Sequence, residues 1–394
     1  MQHRENKIHI GFFGRCNVGK STLINTLVGQ DISIVSEYSG TTTDTVKKTI
    51  ELTDIGQVVL IDTAGIDDKS VLGEERKKKT LDIFSQVDFA VLVISENRFD
   101  IYEENIIDEC KRYSTPYIVV YNKEDLFPIQ ENLKTEVSLI VSKEDKFTRE
   151  KLHQILRQEI RKLSLEQQKP LLNDIIEQGD VVVLVTPIDA SAPKGRLILP
   201  QVKTIREIID QHAIAITVQE TELEQTINLL GKEKIKLVIT DSQIFKKVDS
   251  IVPKEIPLTS FSIILAKEKG NFNQYLSGTL RIDSLQDGDN ILILESCTHT
   301  PTCEDIGRVK LPNMLKKYTG KNLNFTFSAG LSNSFNDIEK YQLVIQCGGC
   351  MATKKQMQNR LLPFIEKNMA ITNYGMTISY VNGIFKRAVA IFQK

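Results

Sequence analysis

The feature that most constrains this chain is a glycine-rich turn placed between a strand and a helix. Residues 14–21 read Gly-Arg-Cys-Asn-Val-Gly-Lys-Ser and match the P-loop pattern G-x-x-x-x-G-K-[ST]. They follow an apolar, β-branched run, Ile8–Phe13, and precede the apolar start of a helix. Such a turn directs backbone N–H groups and the positive end of the helix dipole at phosphate oxygens. The pattern therefore predicts a nucleoside triphosphate site.

Within this turn, two side chains have distinct expected roles. Lys20 should reach the β- and γ-phosphates, and Ser21 should hold Mg²⁺. The remaining expected nucleotide contacts come from Gly14, Asn17, Val18, Gly19 and Thr22. A glycine-rich turn without a ligand is the alternative, and the motifs that follow argue against it.

A second motif, Asp-Thr-Ala-Gly at 62–65, ends the apolar run 58–61. It places the Asp62 carboxylate at the end of a strand beside the phosphates, where it would bind Mg²⁺ through a water. The Gly65 N–H would sense the γ-phosphate. Lys20, Asp62 and Gly65 are therefore expected to take part in catalysis.

A third motif, Asn-Lys-Glu-Asp at 122–125, follows the predicted strand Tyr117–Tyr121. The Asp125 carboxylate can accept both N1–H and N2–H₂ of guanine, a donor pair that adenine lacks, and a wrong base would leave buried groups unpaired. Asn122 would contact N7, and Lys123 would pack along the base. The backbone at Ser142 and Lys143 would meet the guanine O6. The predicted ligands are GTP and GDP with Mg²⁺.

The whole chain reads as an α/β protein of three domains. Short β-branched runs alternate with helical patterns, which predicts a mostly parallel sheet in a P-loop GTPase domain at 1–167. A smaller α/β domain is expected at 168–266 and a further α/β domain at 267–394. Residues 260–266 are predicted to form a strand and residues 379–392 a helix. No internal repeat is visible in the sequence.

Composition restricts the classes of partner. Lys and Arg number 50 against 51 Asp and Glu, and neither a basic stripe nor a G-x-x-G clamp stands out, so nucleic acid is not an expected partner. The apolar runs are far shorter than the roughly 20 residues of a membrane span. The polar N-terminus shows no signal peptide, so a cytoplasmic location is expected. Six cysteines in such a chain are not expected to form structural disulfides.

Residues 40–44, Gly-Thr-Thr-Thr-Asp, lie between the first two motifs. Here the domain resembles the TrmE/Era-like class of GTPases, which carry G-T-T-R-D. The resemblance implies that Thr42 completes the Mg²⁺ shell and shares in catalysis. It also implies that Asn17 helps to bind K⁺ beside the phosphates, the alternative being that Asn17 only shapes the loop. The chain departs from the class at Thr43.

The residue after the second motif is Ile66, where a water-positioning side chain is usual. An aliphatic side chain cannot orient water. We therefore expect slow GTP hydrolysis, and the resemblance to the TrmE/Era-like class implies that K⁺ stimulates it.

The last third of the chain carries Cys297-Thr-His299 and Cys347-Gly-Gly-Cys350, each just past a predicted strand. Neighbouring strands that end together would bring three sulfur atoms to one place. Three cysteines suit either Zn²⁺ with His299 as fourth ligand or an iron–sulfur cluster. A redox-active or purely structural cysteine pair is the further alternative. Cys303 is a possible substitute ligand.

A GTPase domain followed by C-x-H, roughly fifty residues and C-x-x-C resembles the iron-iron hydrogenase maturation GTPase family, HydF. The resemblance covers the whole chain. It implies that Cys297, Cys347 and Cys350 bind a 4Fe–4S cluster in the third domain, and that the middle domain forms a homodimer. Many members have His directly before the C-x-x-C, where this chain has Gln346. The fourth ligand is therefore open, with His299 as a candidate ligand or a neighbour of one.

The same resemblance implies a scaffold or carrier that receives a di-iron precursor from two radical-SAM maturases and passes it to the apo-hydrogenase. Two rival functions remain at this point. The first is an RNA- or ribosome-associated GTPase, as among relatives of the N-terminal domain. The second is a GTPase whose Cys3His zinc site only stabilises the third domain.

Overall fold

The structure, a computed structural model, describes residues 7–28, 34–38, 46–52, 56–63, 83–129, 138–142, 147–167, 171–188, 197–296, 305–331, 335, 337–350 and 352–393. Five predicted site residues therefore lie outside the described part of the chain: Thr42, Gly65, Lys143, Cys297 and His299. The chain divides into two compact units, Met1–Gln168 with Ser332–Ser334 and Lys169–Leu331 with Phe335–Lys394.

The first unit is built on one seven-stranded sheet in the order β2-β3-β4-β1-β5-β6-β7. The β2-β3-β4 pairs are antiparallel and the others parallel, as the alternation of runs predicts. The strands are β1 Ile8–Phe13, β2 Ile34–Tyr38, β3 Val46–Leu52, β4 Gly56–Asp62, β5 Phe89–Ile94, β6 Tyr117–Tyr121 and β7 Ser138–Ile140.

The described helices of this unit are α1 Lys20–Val28, α2 Ile101–Arg112 and α3 Thr148–Gln167. Helix α1 buries Leu23, Ile24 and Leu27 in the same core as Ile10, Phe12 and Val91 of the central strands, and Leu152, Leu156 and Ile160 of α3 complete that core. Full burial of such aliphatic side chains contributes about 1.5–3 kcal/mol each. The packing fixes the start of α1 at the carboxyl end of β1.

The second unit contains two four-stranded parallel sheets, β11-β10-β8-β9 and β13-β12-β14-β15. The strands are β8 Val181–Val185, β9 Ile214–Val218, β10 Ile235–Thr240, β11 Leu258–Ser260, β12 Asn290–Glu295, β13 Asn324–Ala329, β14 Tyr341–Gln346 and β15 Ile371–Asn373. The described helices are α4 Leu199–Asp210, α5 Leu223–Leu230, α6 Phe245–Ile251, α7 Phe261–Lys269, α8 Phe272–Thr279, α9 Leu311–Thr319, α10 Lys354–Glu366, α11 Tyr374–Val381 and α12 Phe385–Ala390.

The two sheets of this unit repeat one fold. In each sheet the first strand lies between the second and the third, and the fourth follows the third at the edge. The turn before each first strand is also the same: the Asp180 carboxylate accepts from the Glu177 N–H at 2.8 Å, and the Asp289 carboxylate accepts from the Gln286 N–H at 2.8 Å. The third strands share Leu-Val-Ile at 237–239 and 343–345, each after Glu-Lys. The second unit therefore contains a structural repeat that was not found in the sequence.

The repeats exchange their last helices. The Thr259 hydroxyl of β11 donates to the Ala388 carbonyl of α12 at 2.8 Å, and the Thr372 hydroxyl of β15 lies 2.6 Å from the Thr279 hydroxyl of α8. Helices α7 and α11 cross where a Cβ on Gly375 would lie 2.5 Å from the Cβ of Ser262. One apolar core accordingly contains residues of both sheets, among them Val183, Val238, Leu292 and Val344.

Two predicted elements of this unit differ in the structure. Residues 260–266 were expected as a strand, but Ser260 caps α7 by accepting from the Ile263 N–H at 3.4 Å. Because α7 is buried between the repeats, its apolar run shows no helical period, and such a run cannot be told from a buried strand. The predicted helix 379–392 is broken by Gly383, with φ at +74°, between α11 and α12.

The expected boundary between the second and third domains, at 266/267, lies within α7. The three domain limits remain predictions. None of the helices in the described part of the chain has the length and apolar character needed to cross a membrane.

Candidate functional site

The turn between β1 and α1 requires glycine at both ends. Gly14 has φ of +142°, and a Cβ there would lie 2.3 Å from the carbonyl oxygen of Val93. Gly19 has φ of +97°, and a Cβ there would lie 2.2 Å from Nδ2 of Asn122. Because L side chains rarely adopt such backbone angles, only glycine fits both positions. The turn can therefore lie tightly against two neighbouring strand ends.

Lys20 extends back over this turn from the first residue of α1. Its Nζ donates to the carbonyl oxygens of Gly14 at 3.0 Å and Arg15 at 2.8 Å, and the residue is 7% exposed. The ammonium thus lies inside the loop whose N–H groups would bind phosphate. This position agrees with its predicted role.

The predicted Mg²⁺ ligands Ser21 and Asp62 are brought together. Strand β4 pairs with β1 so that Asp62 lies opposite Phe12, and the Ser21 hydroxyl donates to Asp62 Oδ2. The other carboxylate oxygen, Asp62 Oδ1, is buried and has no hydrogen-bond partner among the described residues. A hydroxyl beside a carboxylate oxygen without a donor is a ligand set that suits Mg²⁺.

The guanine motif is fastened directly to the P-loop. Asn122 Nδ2 donates to the Val18 carbonyl at 2.9 Å, and Lys123 Nζ donates to the Asn17 carbonyl at 2.7 Å. Asn17 itself adopts φ of +60°, and its side chain is exposed. We call residues 14–21, Asp62 and residues 122–125 the nucleotide edge. Its phosphate and base motifs support each other.

The remaining nucleotide positions are exposed or half-buried at the same side of the sheet. Asp125 is exposed in a turn that begins with the Lys123 carbonyl accepting from Leu126 N–H at 3.0 Å. Ser142 follows β7, and its carbonyl accepts from the Thr148 hydroxyl at 2.9 Å. Thr22 is exposed in the first turn of α1.

Arg15 has a structural role that the sequence reasoning missed. Its Nε donates to Glu103 Oε1 at 2.9 Å and its Nη2 donates to Glu103 Oε2 at 3.1 Å and to Asp100. The guanidinium carbon lies 4.4 Å from the centre of the Tyr102 ring. Arg15 is 5% and Glu103 1% exposed, and the hydrogen bond that Arg15 donates to Glu103 raises the pKa of Arg15. The Asp-x-x-Glu spacing at 100–103 indicates the start of α2 but not its partner.

The second site is the cysteine loop, residues 347–350, which follows β14. Strands β12 and β14 are adjacent, with Leu294 opposite Gln346, and the Cys347 N–H donates to the Leu294 carbonyl at 2.9 Å. The Ser296 N–H donates to Cys347 Sγ at 3.1 Å, and the thiol donates to the Ser296 hydroxyl at 3.2 Å. Ser296 directly precedes Cys297 in the chain. Two strand ends therefore meet at Cys347.

Both cysteines of the loop reach the surface. Cys347 is partly exposed and Cys350 exposed, and neither forms a disulfide. Gly349 has φ of +61°, and a Cβ there would lie 2.2 Å from Met357 Sδ. The helix beyond begins at Lys354, with Thr353 as its cap. A thiolate pair on a tight loop is a donor set that suits iron or zinc.

Gln346, at the position where the resemblance led us to look for histidine, is part of the core. It is 0% exposed, its Oε1 accepts from the Tyr275 hydroxyl, and its Nε2 donates to the Met357 carbonyl at 3.0 Å. Burial, followed by the charge of Cys347, raises the pKa of Tyr275. Since both ends of the Gln346 amide are hydrogen-bonded in the core, this side chain stabilises the strand end.

Two buried cations lie near the loop. Arg360 donates to the carbonyl oxygens of Glu295 at 2.7 Å and Ser328 at 2.8 Å. Burial lowers the pKa of Arg360 to about 10, and the charge of Cys347 opposes that shift. Lys269 donates to the Gly349 carbonyl at 2.9 Å. Both cations are directed at backbone next to the strand ends.

Within the described part of the chain, no group of three or more His, Cys, Asp or Glu side chains is arranged to hold a metal ion. The predicted set includes Cys297 and His299, which lie outside that part. The structure thus brings Cys347 and Cys350 into one loop beside Ser296, and the third sulfur stays a prediction.

Family models match nearly the whole chain. Residues 9–123 match the 50S ribosome-binding GTPase model, residues 171–270 the hydrogen maturase F dimerization domain, and residues 273–391 the hydrogen maturase F tetramerization domain. The two maturase models together span more than half of the chain.

Curated relatives match the N-terminal part. GTPase Der of Clostridium acetobutylicum is 34% identical over 152 residues, covering 37% of this chain and 34% of its own length. GTPase Era of Caldicellulosiruptor saccharolyticus is 36% identical over 133 residues, covering 33% and 44%. The chain spans less than half of the length of these relatives.

Among solved structures, the G domain of the T. maritima FeoB iron transporter is 20% identical with a TM-score of 0.30, covering 39% of this chain and 98% of that one. A variant of Aquifex aeolicus Era bound to GDP and AlF4⁻ is 18% identical with a TM-score of 0.32, covering 57% and 98%.

The two maturase matches support self-association of the chain, since they are matches to dimerization and tetramerization domains. The P-loop, the paired Ser21 and Asp62 and the guanine motif agree with the GTPase match. The chain therefore belongs to the HydF family of hydrogenase maturation GTPases, with an N-terminal GTPase domain of the TrmE/Era-like class.

Proposed function

We propose that this chain hydrolyses GTP and serves as a scaffold that holds a 4Fe–4S cluster and delivers a di-iron precursor to apo iron-iron hydrogenase. The cluster ligands would be Cys347 and Cys350 of the cysteine loop with Cys297, and His299 is a candidate for the fourth position. The observation that carries this proposal is that the ends of β12 and β14 meet. There the N–H of Ser296, the residue before Cys297, donates to Cys347 Sγ.

Hydrolysis would be performed at the nucleotide edge. Lys20 would neutralise the β- and γ-phosphates, and Ser21, Thr42 and Asp62 would hold Mg²⁺ against them, with the N–H of Gly65 at the γ-phosphate. A K⁺ ion bound by Asn17 would stabilise the charge that develops during transfer. The exposed Asp125 would select guanine. Turnover is expected to be slow because Ile66 cannot position water.

The cluster is tested by iron and sulfide analysis after anaerobic reconstitution. Wild type should hold about four iron and four sulfide per chain, while Cys297→Ser, Cys347→Ser and Cys350→Ser should each lose most of both. The buried Cys110→Ser is the matched control and should retain the cluster. Cys303→Ser should retain it as well, and loss of the cluster in that variant would identify Cys303 as the substitute ligand. A colourless wild-type protein that binds zinc would establish the structural zinc alternative instead.

The partners are proposed from the same family. Self-association would occur through the domain at 171–270, and the precursor would come from two radical-SAM maturases. Delivery is tested by hydrogen production of apo-hydrogenase mixed with the loaded protein. Partner release should differ between GTP and a non-hydrolysable analogue, and equal release without nucleotide would remove the role of GTP.

A ribosome-associated function is the second candidate, since residues 9–123 match a model described as a 50S ribosome-binding GTPase. The rest of the chain matches maturase domains, so we place this candidate second. Filter binding to rRNA and tRNA distinguishes the two. Retention of either RNA at physiological salt would favour the ribosomal function.

A further inference from the structure

We call the part of the second unit built on the sheet β11-β10-β8-β9 the first repeat, and the part built on β13-β12-β14-β15 the second repeat. A residue of the first repeat supports the cysteine loop, which lies in the second. Helix α7 belongs to the first repeat, and it buries Phe261, Ile263, Ile264, Leu265, Ala266 and Lys269. At its last residue, Lys269, the side chain enters the second repeat and is 5% exposed. A lysine is almost never buried to this degree without a specific reason.

Three carbonyl groups of the described part of the loop region converge on the Lys269 ammonium. Its Nζ donates to the carbonyl oxygens of Gly349 at 2.9 Å, Ala352 at 3.0 Å and Cys350 at 3.4 Å. An ammonium group has only donors and no acceptor, so it suits a cluster of carbonyl oxygens. These bonds tie the second half of the cysteine loop to a single point, and they place a positive charge beside the backbone of Cys350.

The repeat supplies an internal comparison. Lys269 and Asn382 occupy the same place in the two repeats, directly before Gly270 and Gly383. The Asn382 amide donates to the Ile378 carbonyl of its own helix at 2.8 Å and not to a loop of the other repeat. The loop after β10, residues 241–244, contains no cysteine. Lys310 of the second repeat does reach this loop, but it donates to the side chain of Gln243 at 3.0 Å. In the described residues, an ammonium bonded to loop carbonyls thus accompanies the loop that carries cysteines.

A positive charge at this place has a direct chemical consequence. Thiolate ligands give an iron–sulfur cluster a net negative charge, and reduction adds another. Hydrogen bonds and charges near the sulfurs set the reduction potential of such clusters. A buried ammonium next to Cys350 would stabilise the more negative, reduced form, while its three hydrogen bonds hold the loop.

We propose that Lys269 is a positioning residue of the cluster site: it fixes the shape of the cysteine loop and raises the reduction potential of the cluster bound there. This inference rests on the proposed cluster function. It assigns to the first repeat a direct part in a site whose described cysteines lie in the second.

The test compares Lys269→Met, Lys269→Arg and Lys267→Met in the full-length protein. Lys267 lies in the same helix but is exposed, so its replacement removes the same charge away from the loop. Midpoint potential is measured by anaerobic titration, with iron and sulfide content beside it. Lys269→Met should shift the potential negative by about 59 mV or more, a tenfold change for one electron. Lys269→Arg and Lys267→Met should stay near wild type.

The outcomes separate this inference from the proposed function. A wild-type protein without a cluster refutes the proposed function itself. If wild type and Lys269→Met hold the cluster at the same potential, Lys269 has no such role and the inference fails. If Lys269→Met cannot be loaded with a cluster but Lys269→Arg can, and its potential equals that of wild type, the result supports the role of the positive charge. Equal loss in both variants shows a packing role only and overturns the inference.

Discussion

The nucleotide edge and the cysteine loop both lie at the carboxyl ends of parallel strands, but they are held in different ways. In the nucleotide edge the motif residues hold each other, as Asn122 and Lys123 donate to P-loop carbonyls. The cysteine loop is held by residues outside its motif, Lys269 and Met357 among them. When the motif residues of a site hydrogen-bond to one another, short sequence patterns contain most of the site. When distant residues hold the site, the sequence pattern reveals only the ligands.

The largest expected effect tests the base specificity of the nucleotide edge. Asp125→Asn should weaken GTP binding by at least about a hundredfold, because an amide in place of the carboxylate leaves guanine donors unpaired. Xanthosine triphosphate, which has an acceptor oxygen where guanine carries N2, should bind to Asp125→Asn more tightly than GTP does. Calorimetric titration with both nucleotides measures this. Glu104→Gln, a change at an exposed carboxylate of α2 outside the nucleotide edge, serves as control. The iron content of both variants should equal that of wild type.

The second prediction concerns the buried Arg15–Glu103 pair. Arg15→Met should cost about 3 kcal/mol of stability, because it leaves the Glu103 carboxylate buried without its cation. The double variant Arg15→Met/Glu103→Gln should recover about 1 kcal/mol. Urea unfolding measures both free energies, read from the transition whose midpoint moves when GTP is added. A single variant as stable as wild type would show that the pair does not support the P-loop.

The two glycines of the cysteine loop give a matched pair for the third prediction. Gly349→Ala should weaken iron retention about tenfold, since its φ of +61° costs about 1–2 kcal/mol for alanine and Met357 Sδ occupies the Cβ position. Gly348→Ala should be tolerated, because its nearest contact would be Leu265 at 3.6 Å. Iron release to a chelator measures retention. Equal release from both variants would contradict the loop geometry.

The smallest effect is expected at Asn17. Glycine adopts the observed φ of +60° as readily as asparagine, so Asn17→Gly keeps the loop shape while it removes the amide. GTP affinity should change little, and the ratio of hydrolysis rates in K⁺ and Na⁺ should fall severalfold toward one. Should K⁺ stimulation persist in this variant, Asn17 would be a loop-shaping residue and not a cation ligand.

Much of the nucleotide edge was predictable because its chemistry requires particular residues at fixed spacing. The backbone angles at positions 14 and 19 require glycine. Lys20, Asp62 and Asp125 lie at or beyond the ends of strands that appear in the sequence as apolar runs. The Arg15–Glu103 contact was not predictable, since 88 residues separate two charges that resemble ordinary surface residues in the sequence.

The internal repeat could not be recognised from the sequence for a related reason. Its similarity consists of strand order and of turns such as those ending in Asp180 and Asp289, while buried positions interchange aliphatic residues freely. A core accepts such exchanges at little cost when volume is kept. The proposed role of Lys269 depends on that arrangement, because its helix α7 is buried between two repeats whose relation short motifs do not reveal.

The most direct test of the account is the electron paramagnetic resonance spectrum of the anaerobically reconstituted, chemically reduced protein. We predict a signal of one unpaired electron from a reduced 4Fe–4S cluster in wild type, its loss in Cys347→Ser, and its retention in Asp125→Asn. A wild-type protein without iron or signal would contradict the central claim that one chain joins a GTP site to a thiolate-held cluster.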